Sequence, residues 1–335
     1  IHLHDYHVGL TLFYLNLEVL ENPSVVFTIH NATYQGWVEI WKDPAPVMYE
    51  ISLPLEYYYK YFQYWGHFNT MKGILIKMNE IGGAVTTVSE GYAQELYWTE
   101  GDIREMAMIE GYPNPGKVFI PNGGLSELAW ANIKGINNGL SDENRPENLS
   151  YLQGSFLRDI QYKMNKPFFN HPVVQAAMLN EDHFYSTSDM HNRLLLKELL
   201  YLECFGKAPK DGDILFCAIG RLVEQKHFDI LLGVMGPITQ HYPNVRFIVE
   251  ASPQPDDNYG KRMVEYFTKA TIQNPNIYFS HNFHQALGKL AMVGSNFFII
   301  PSYIEPCGLV DYEAALLVCV PIVRKTGGLI KTFPY

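Results

Sequence analysis

Apolar positions along this chain fall into short runs, and each run is followed by a longer mixed stretch. Residues 25–29, 84–88, 214–219, 245–249, 297–300 and 320–323 read as buried strands. Their Val, Ile and Phe content suits strands covered on both faces of a parallel sheet. The intervening stretches carry helix-like periodicity, so the pattern is one of repeated βα units. Ser89 stands at a strand exit, with Glu90 behind it and helix formers from Ala93 to Leu96, which predicts an N-cap.

The pattern changes over about 139–210. "SDENRPENLSYLQG" is polar and turn-rich, whereas "HNRLLLKELLYLECFGK" predicts an amphipathic helix closed by a glycine. "GYPNPGKVFIPNGGL" is rich in Pro and Gly and reads as an excursion loop. A domain junction is therefore expected within 137–146, separating a first domain, 1–138, from a second, 139–335. A length of 335 residues suits two domains at roughly 150 residues each. The chain opens directly into a strand-like pattern and stops after a turn, and it reads as an interior stretch of a longer protein, with both domains incomplete.

The strand exits gather the candidate chemistry. In "FFIIPSYIEPCGLVDYEAALLVCVPIVRKTGGL" a strand is expected at 297–300, a turn over 301–308 and a helix from Leu309, with Pro306 in its first turn. Glu305 stands at the lip as a hydroxyl acceptor, and Gly308 admits a ligand close to the backbone. Thr326-Gly327-Gly328 forms a second glycine turn after the next strand. Two helix starts beside one carboxylate suit a ligand with both phosphates and hydroxyls, such as a nucleotide sugar. The bare pattern leaves open that these are ordinary turns with a dipole-complementing acid. In "LFCAIGRLVEQKHFDILL" a strand is expected to end at Ile219 and turn at Gly220. Arg221 and Lys226 then place two cations on one strand-to-helix loop, a chemistry that fits a diphosphate and equally a solvated surface pair. His30 and Asn31 follow another strand. "IHLHDYHVGL" gathers His2, His4, Asp5 and His7, but no second cluster has recognisable zinc-ligand spacing, so no metal is expected and Asp5 is read as lining a polar cleft.

Charge and cysteines narrow the field. Lys and Arg total 25 against 35 Asp and Glu, for a net charge of −10. That balance excludes nucleic acid as a partner, and any anion must be caught by a local basic site. No run reaches the ~18 apolar residues of a membrane span. The four cysteines include no C-x-x-C pair, Cys217 and Cys319 sit in apolar runs, and a reducing cytoplasmic compartment is expected. A Cys307 nucleophile served by His281 or His284 lacks a basic neighbour at suitable spacing.

Seven segments in order resemble the glycogen and starch synthase family: "HLHDYHVGL", "VFTIHNATYQG", "GGAVTTVSEGYAQEL", "GINNGLSD", "GRLVEQKHFDILL", "PSYIEPCGL" and "VRKTGGL". The resemblance implies an α/β GT-B fold, two Rossmann-like parallel-sheet domains facing across a cleft. It implies retaining transfer of glucose from ADP- or UDP-glucose, ADP-glucose favoured, to the non-reducing end of an α-1,4-glucan. By the same resemblance Arg221 and Lys226 hold the donor diphosphate. Glu305 takes the glucose hydroxyls with the backbone N–H groups of Cys307, Gly308 and Leu309. Thr326, Gly327 and Gly328 support the phosphate, His30 touches the glucose, and Asp5 and Asn31 lie on the acceptor side. No cofactor or metal is implied beyond the nucleotide-sugar substrate. The compartment is cytoplasmic, or plastid stroma for a plant-type enzyme, and a homo-oligomer is left open. Retaining hydrolases need two close carboxylates; none stands beside Glu305 in sequence, which suits front-face transfer.

The chain also departs from the family pattern. The family's N-terminal Lys-x-Gly-Gly-Leu loop would lie ahead of Ile1, "VEASPQPDD" replaces a glycine-rich turn, and His227 replaces the usual glycine after Gln-Lys. "HLHDYH" and "YPNPG" also echo the synthase-like domain of cell-wall α-glucan synthases. A catalytically silent glucan-binding or scaffolding subunit remains the third reading.

Overall fold

The computed structural model describes residues 1–109, 123–125, 128, 131–145, 169–180, 190–282 and 285–331. Most of the expected excursion loop, half of the 139–210 segment and His284 lie outside them. The chain forms two compact units. One comprises Ile1–Asn138 with Ile304–Gly308 and Thr326–Tyr335, and the other comprises Gly139–Tyr303 with Leu309–Lys325.

The first unit is built on four parallel strands: β1 (His2–His4), β2 (Val26–Ile29), β6 (Ala84–Thr87) and β7 (Lys134–Gly135), in the order β1-β2-β6-β7. Phe27 and Ile29 are wholly buried. The short helix Asp5–Gly9 packs closely here: a side chain at Gly9 would run into Ile74 of the helix Thr70–Glu80 and come within 3.0 Å of Phe27. Asn69 caps that helix, its side chain accepting from the Lys72 amide at 2.9 Å. A small antiparallel sheet ordered β3-β5-β4 joins β3 (Trp37–Val38), β5 (His67–Asn69) and β4 (Gln63–Tyr64). One of its faces buries Phe68 with Met48, Tyr58, Tyr61 and Phe62.

The second unit carries five parallel strands in the order β10-β9-β8-β11-β12: β8 (Ile214–Arg221), β9 (Val245–Ser252), β10 (Ile277–Ser280), β11 (Phe297–Ile300) and β12 (Val320–Val323). Alternation sends Ala218, Phe247 and Val249 into one core, with Phe228, Leu231 and Met235 of helix Phe228–His241 and Met263 and Phe267 of helix Asn258–Gln273. On the opposite face the Arg246 guanidinium lies 5.3 Å from the Tyr201 ring centre, on helix Met190–Phe205. Glu250 on that same face meets helix Gln285–Gly294 where Gly288 leaves it room, since a Cβ there would stand 2.6 Å from the Glu250 carboxylate.

Three expectations need correction. Strand β8 does not turn at Gly220 but continues through Gly220 and Arg221, paired with Ala251 and Ser252. Pro306 belongs to no helix, because the helix after β11 begins at Val310. Glu305, expected at an open lip, is 8% exposed.

Candidate functional site

Strand exits of the first unit bring three of the expected residues together. Asp5 takes a left-handed backbone, φ 54°, directly after β1, a conformation that short polar side chains tolerate. Its Oδ1 accepts the His30 amide at 2.8 Å, tying the ends of β1 and β2. His4 Nδ1 and His30 Nε2 share a hydrogen bond of 2.9 Å, so one nitrogen of the His30 ring is engaged by His4. Behind them His2 Nε2 meets Thr28 Oγ1, and Thr28 Oγ1 meets Thr86 Oγ1, each at 2.7 Å. Burial, then the neighbouring charges of His4 and His30, lower the His2 pKa. Asn31 is engaged in its own turn: its Oδ1 accepts from the Thr33 amide at 3.0 Å and the Thr33 hydroxyl at 2.7 Å. Among the described residues no group of three His, Cys, Asp or Glu has metal-holding geometry.

The two glycine turns interlock, and the first unit holds them. Gly328 N donates to Glu305 O at 2.7 Å. A Cβ at Gly328 would collide with the Cys307 carbonyl and stand 2.6 Å from Cys307 Cα, and one at Gly308, φ 66°, would stand 2.6 Å from Leu329. Lys331 Nζ closes the loop by donating to Gly308 O at 2.9 Å and to Cys307 O. Helix Glu90–Glu95 organises both sides. Its cap residue Ser89 donates to Pro306 O at 2.6 Å while accepting from the Tyr92 amide at 3.1 Å. Glu95, 2% exposed, accepts from Thr326 Oγ1 at 2.9 Å and from Gly327 N at 2.5 Å. Tyr92 accepts the Ala32 amide at 3.0 Å, two residues beyond His30, and its burial pushes the phenol pKa up so that it stays protonated. One short helix thus fixes the His30 loop and both glycine turns. The sequence reading found Ser89 as a cap but missed Tyr92 and Glu95. Their signal was the spacing 89, 92, 95, which places the three on one side of a helix.

In the second unit the strand order reverses between β8 and β11, and open parallel sheets bind ligands where neighbouring crossovers part in opposite directions. Arg221 ends β8 at that point and is exposed. Lys226 ends the 3-10 turn Glu224–Lys226, its amide donating to Val223 O at 2.9 Å. From the other side of the reversal Tyr303 donates its amide to Gln225 O at 2.9 Å. The Tyr303 ring stacks on His227 at 5.1 Å and lies 4.5 Å from the Arg324 guanidinium, while Arg324 Nη1 donates to Tyr303 O at 2.8 Å. Arg324 is a third cation at a strand exit, following β12, and its place after an apolar run was the overlooked signal. Leu309 belongs to this unit as the residue before helix Val310–Leu316.

His227 has φ 49° and ψ 41°, the left-handed conformation for which glycine is suited. The ring compensates by burying itself against Tyr303, and burial lowers its pKa from 6.5. The folded state therefore binds this proton less readily than the unfolded chain does. The neutral-ring contribution is complete above pH 6.5 and is lost as pH falls from there through the lower folded pKa. His227→Ala keeps the strain and loses the ring, with an expected cost of about 1–2 kcal/mol at pH 7.5. His227→Gly relieves the strain and should cost less. Denaturant melts at pH 7.5 and 5.5 check both, and the wild type should lose more stability on acidification than either variant.

Comparison with known proteins agrees with this picture. Residues 1–107 match the starch synthase catalytic domain family. The glycogen synthase of Bacillus cereus (strain ATCC 10987 / NRS 248) is 26% identical over 339 residues, covering 99% of this chain and 58% of its own. That of Actinobacillus succinogenes (strain ATCC 55618 / DSM 22257 / CCUG 43843 / 130Z) is 28% identical over 335 residues, covering 99% and 57%. The catalytic domain of Starch Synthase IV from Arabidopsis thaliana, bound to ADP and acarbose, shares the fold with a TM-score of 0.68 at 21% identity, covering 100% of this chain and 58% of that one. The chain therefore spans less than two thirds of the curated relatives it matches. In motifs, in sequence similarity over 99% of its length and in its parallel-sheet fold, this chain is similar to the glycogen and starch synthases.

Proposed function

We propose that the protein transfers glucose, with retention, from a nucleotide-glucose donor to the non-reducing end of an α-1,4-glucan, and that ADP-glucose is the donor. The observation that carries this reading is the placement of Arg221 and Lys226 at the exit of β8, beside the reversal of strand order. Two cations there answer the diphosphate, and the charge that grows on it as glucose leaves is met without reorganisation. Glu305 accepts glucose hydroxyls, and the Cys307, Gly308 and Leu309 amides and the Thr326-Gly327-Gly328 turn serve the donor. His30 attends the reacting sugar, its ring set by His4 and its amide by Asp5. Asp5 and Asn31 serve the acceptor. The charge work is assigned to Arg and Lys, so the reading calls for no metal.

Calorimetric titration of the full-length protein with ADP-glucose, UDP-glucose and maltoheptaose tests it. Donor binding that disappears in Arg221→Ala supports the reading and names the nucleotide. Glucan binding with neither donor bound overturns it in favour of a silent glucan-binding subunit.

A further inference from the structure

The second glycine turn has already spent the groups that would meet a phosphate. Thr326 Oγ1 and Gly327 N both donate to Glu95 Oε1, at 2.9 and 2.5 Å, and Gly328 N donates to Glu305 O at 2.7 Å. Thr326 is 4% exposed, and Gly327 and Gly328 are buried with it. A phosphate seated on these two amides would have to push a buried carboxyl group off one and break the Glu305 bond at the other. Both changes strand buried polar atoms. That leaves the turn an indirect role.

What the turn does touch is the backbone of Glu305. Gly327, φ 45°, lies so close that a Cβ there would collide with the Glu305 carbonyl, and the Gly328 amide binds the same oxygen. The other side of Gly327 rests on helix Glu90–Glu95, where a Cβ at Gly91 would collide with Gly327 O. Gly91 and Glu95 are one helical turn apart, so a single face of the helix supplies both the close packing and the hydrogen bonds. From the cap of the same helix Ser89 Oγ donates to Pro306 O at 2.6 Å. Glu305 and Pro306 are thus gripped at both carbonyls, and the grip on Glu305 runs through Glu95. A carboxylate oxygen accepts two donors at once and binds them more strongly than an amide oxygen does, which suits an anchor for a turn 231 positions away.

We propose that Glu95 is a positioning residue for the donor sugar: it sets the place of Glu305 through the Thr326-Gly327-Gly328 turn, and the turn makes no contact with the donor phosphates. The role of Glu305 rests on the proposed function, whereas its anchoring does not. Arg221 and Lys226 are assigned to the diphosphate, so a displaced Glu305 loses the affinity that glucose adds and spares the affinity for the bare nucleotide. A turn in contact with phosphate would weaken the two ligands together.

The test is calorimetric titration of the full-length protein with ADP and ADP-glucose, with UDP and UDP-glucose in parallel. Thermal melts and hydrogen exchange over residues 304–308, read by mass spectrometry, accompany it. Thr326→Val removes the hydroxyl donor and keeps the branched shape. It should lower the ratio of ADP-glucose to ADP affinity about 10-fold, the loss of one hydrogen bond to a charged group. ADP affinity should be unchanged and exchange over 304–308 faster. Thr326→Ser puts the donor back and should restore both. Glu95→Gln keeps an acceptor in place and should lower the ratio by a smaller factor, which decides the matter if Thr326→Val fails to fold. Equal loss of ADP and ADP-glucose affinity overturns the proposal in favour of a phosphate contact, and an unchanged ratio overturns it outright. Faster exchange in variants of a protein that binds neither nucleotide sugar upholds the anchor and removes the transferase reading.

Discussion

Replacing Lys226 by alanine should lower glucose transfer by about 10²–10³-fold with little change in melting temperature. The size follows from what a preorganised charge supplies: removing one group aimed at developing negative charge costs roughly 2.7–4 kcal/mol of barrier. The Lys226 amide donates to Val223 O, a backbone bond that alanine keeps. The 3-10 turn and the Tyr303 amide bond to Gln225 O should therefore survive the change. An arginine at this position keeps the charge but presents a planar fork, and should restore only part of the rate. Initial rates of the full-length protein with saturating donor decide the matter. Wild-type-like rates in Lys226→Ala would remove the diphosphate assignment.

Legibility in the sequence tracked the range of the interactions involved. Strands β11 and β12 occur where their apolar runs stand, residues 297–300 and 320–323, because buried parallel strands write their burial into consecutive side chains. Strands β8 and β9 ran two and three residues past their apolar stretches, through Gly220–Arg221 and Glu250–Ser252. Those extensions are held by backbone pairing, which leaves no hydrophobic trace. Cys217 and Cys319 were readable as core residues and are 1% and 0% exposed. The partnership of Glu95 with Thr326 and Gly327 was unreadable, for more than 230 positions separate the partners. The β4–β5 hairpin was missed because its strands are two and three residues long, too short for an alternation to register, and because its turn carries Trp where Asn or Gly would signal one.

That long-range partnership sets up the second large effect. Gly328→Ala should destabilise the protein by about 2–4 kcal/mol and abolish most transfer with it. The added methyl would occupy the space of the Cys307 carbonyl, and its neighbours there are backbone atoms that no rotamer change can move aside. Overpacking of this kind costs roughly 1–3 kcal/mol. The turns must separate to admit the methyl, which strains the Gly328 N bond to Glu305 O, worth about another 0.5–1.5 kcal/mol. Separation also pulls on the Gly327 amide held by buried Glu95, so the disturbance reaches the helix that holds the Ala32 amide beside His30. Gly233→Ala is the control: it lies within helix Phe228–His241, a Cβ there meets nothing within 4 Å, and it should leave stability unchanged or raise it by up to ~1 kcal/mol. Chemical denaturation of both variants, with activity measured in parallel, separates the outcomes. If Gly328→Ala unfolds with the wild-type midpoint, the contact of the two turns is not what holds them, and glycine at 328 must be explained by the ligand instead.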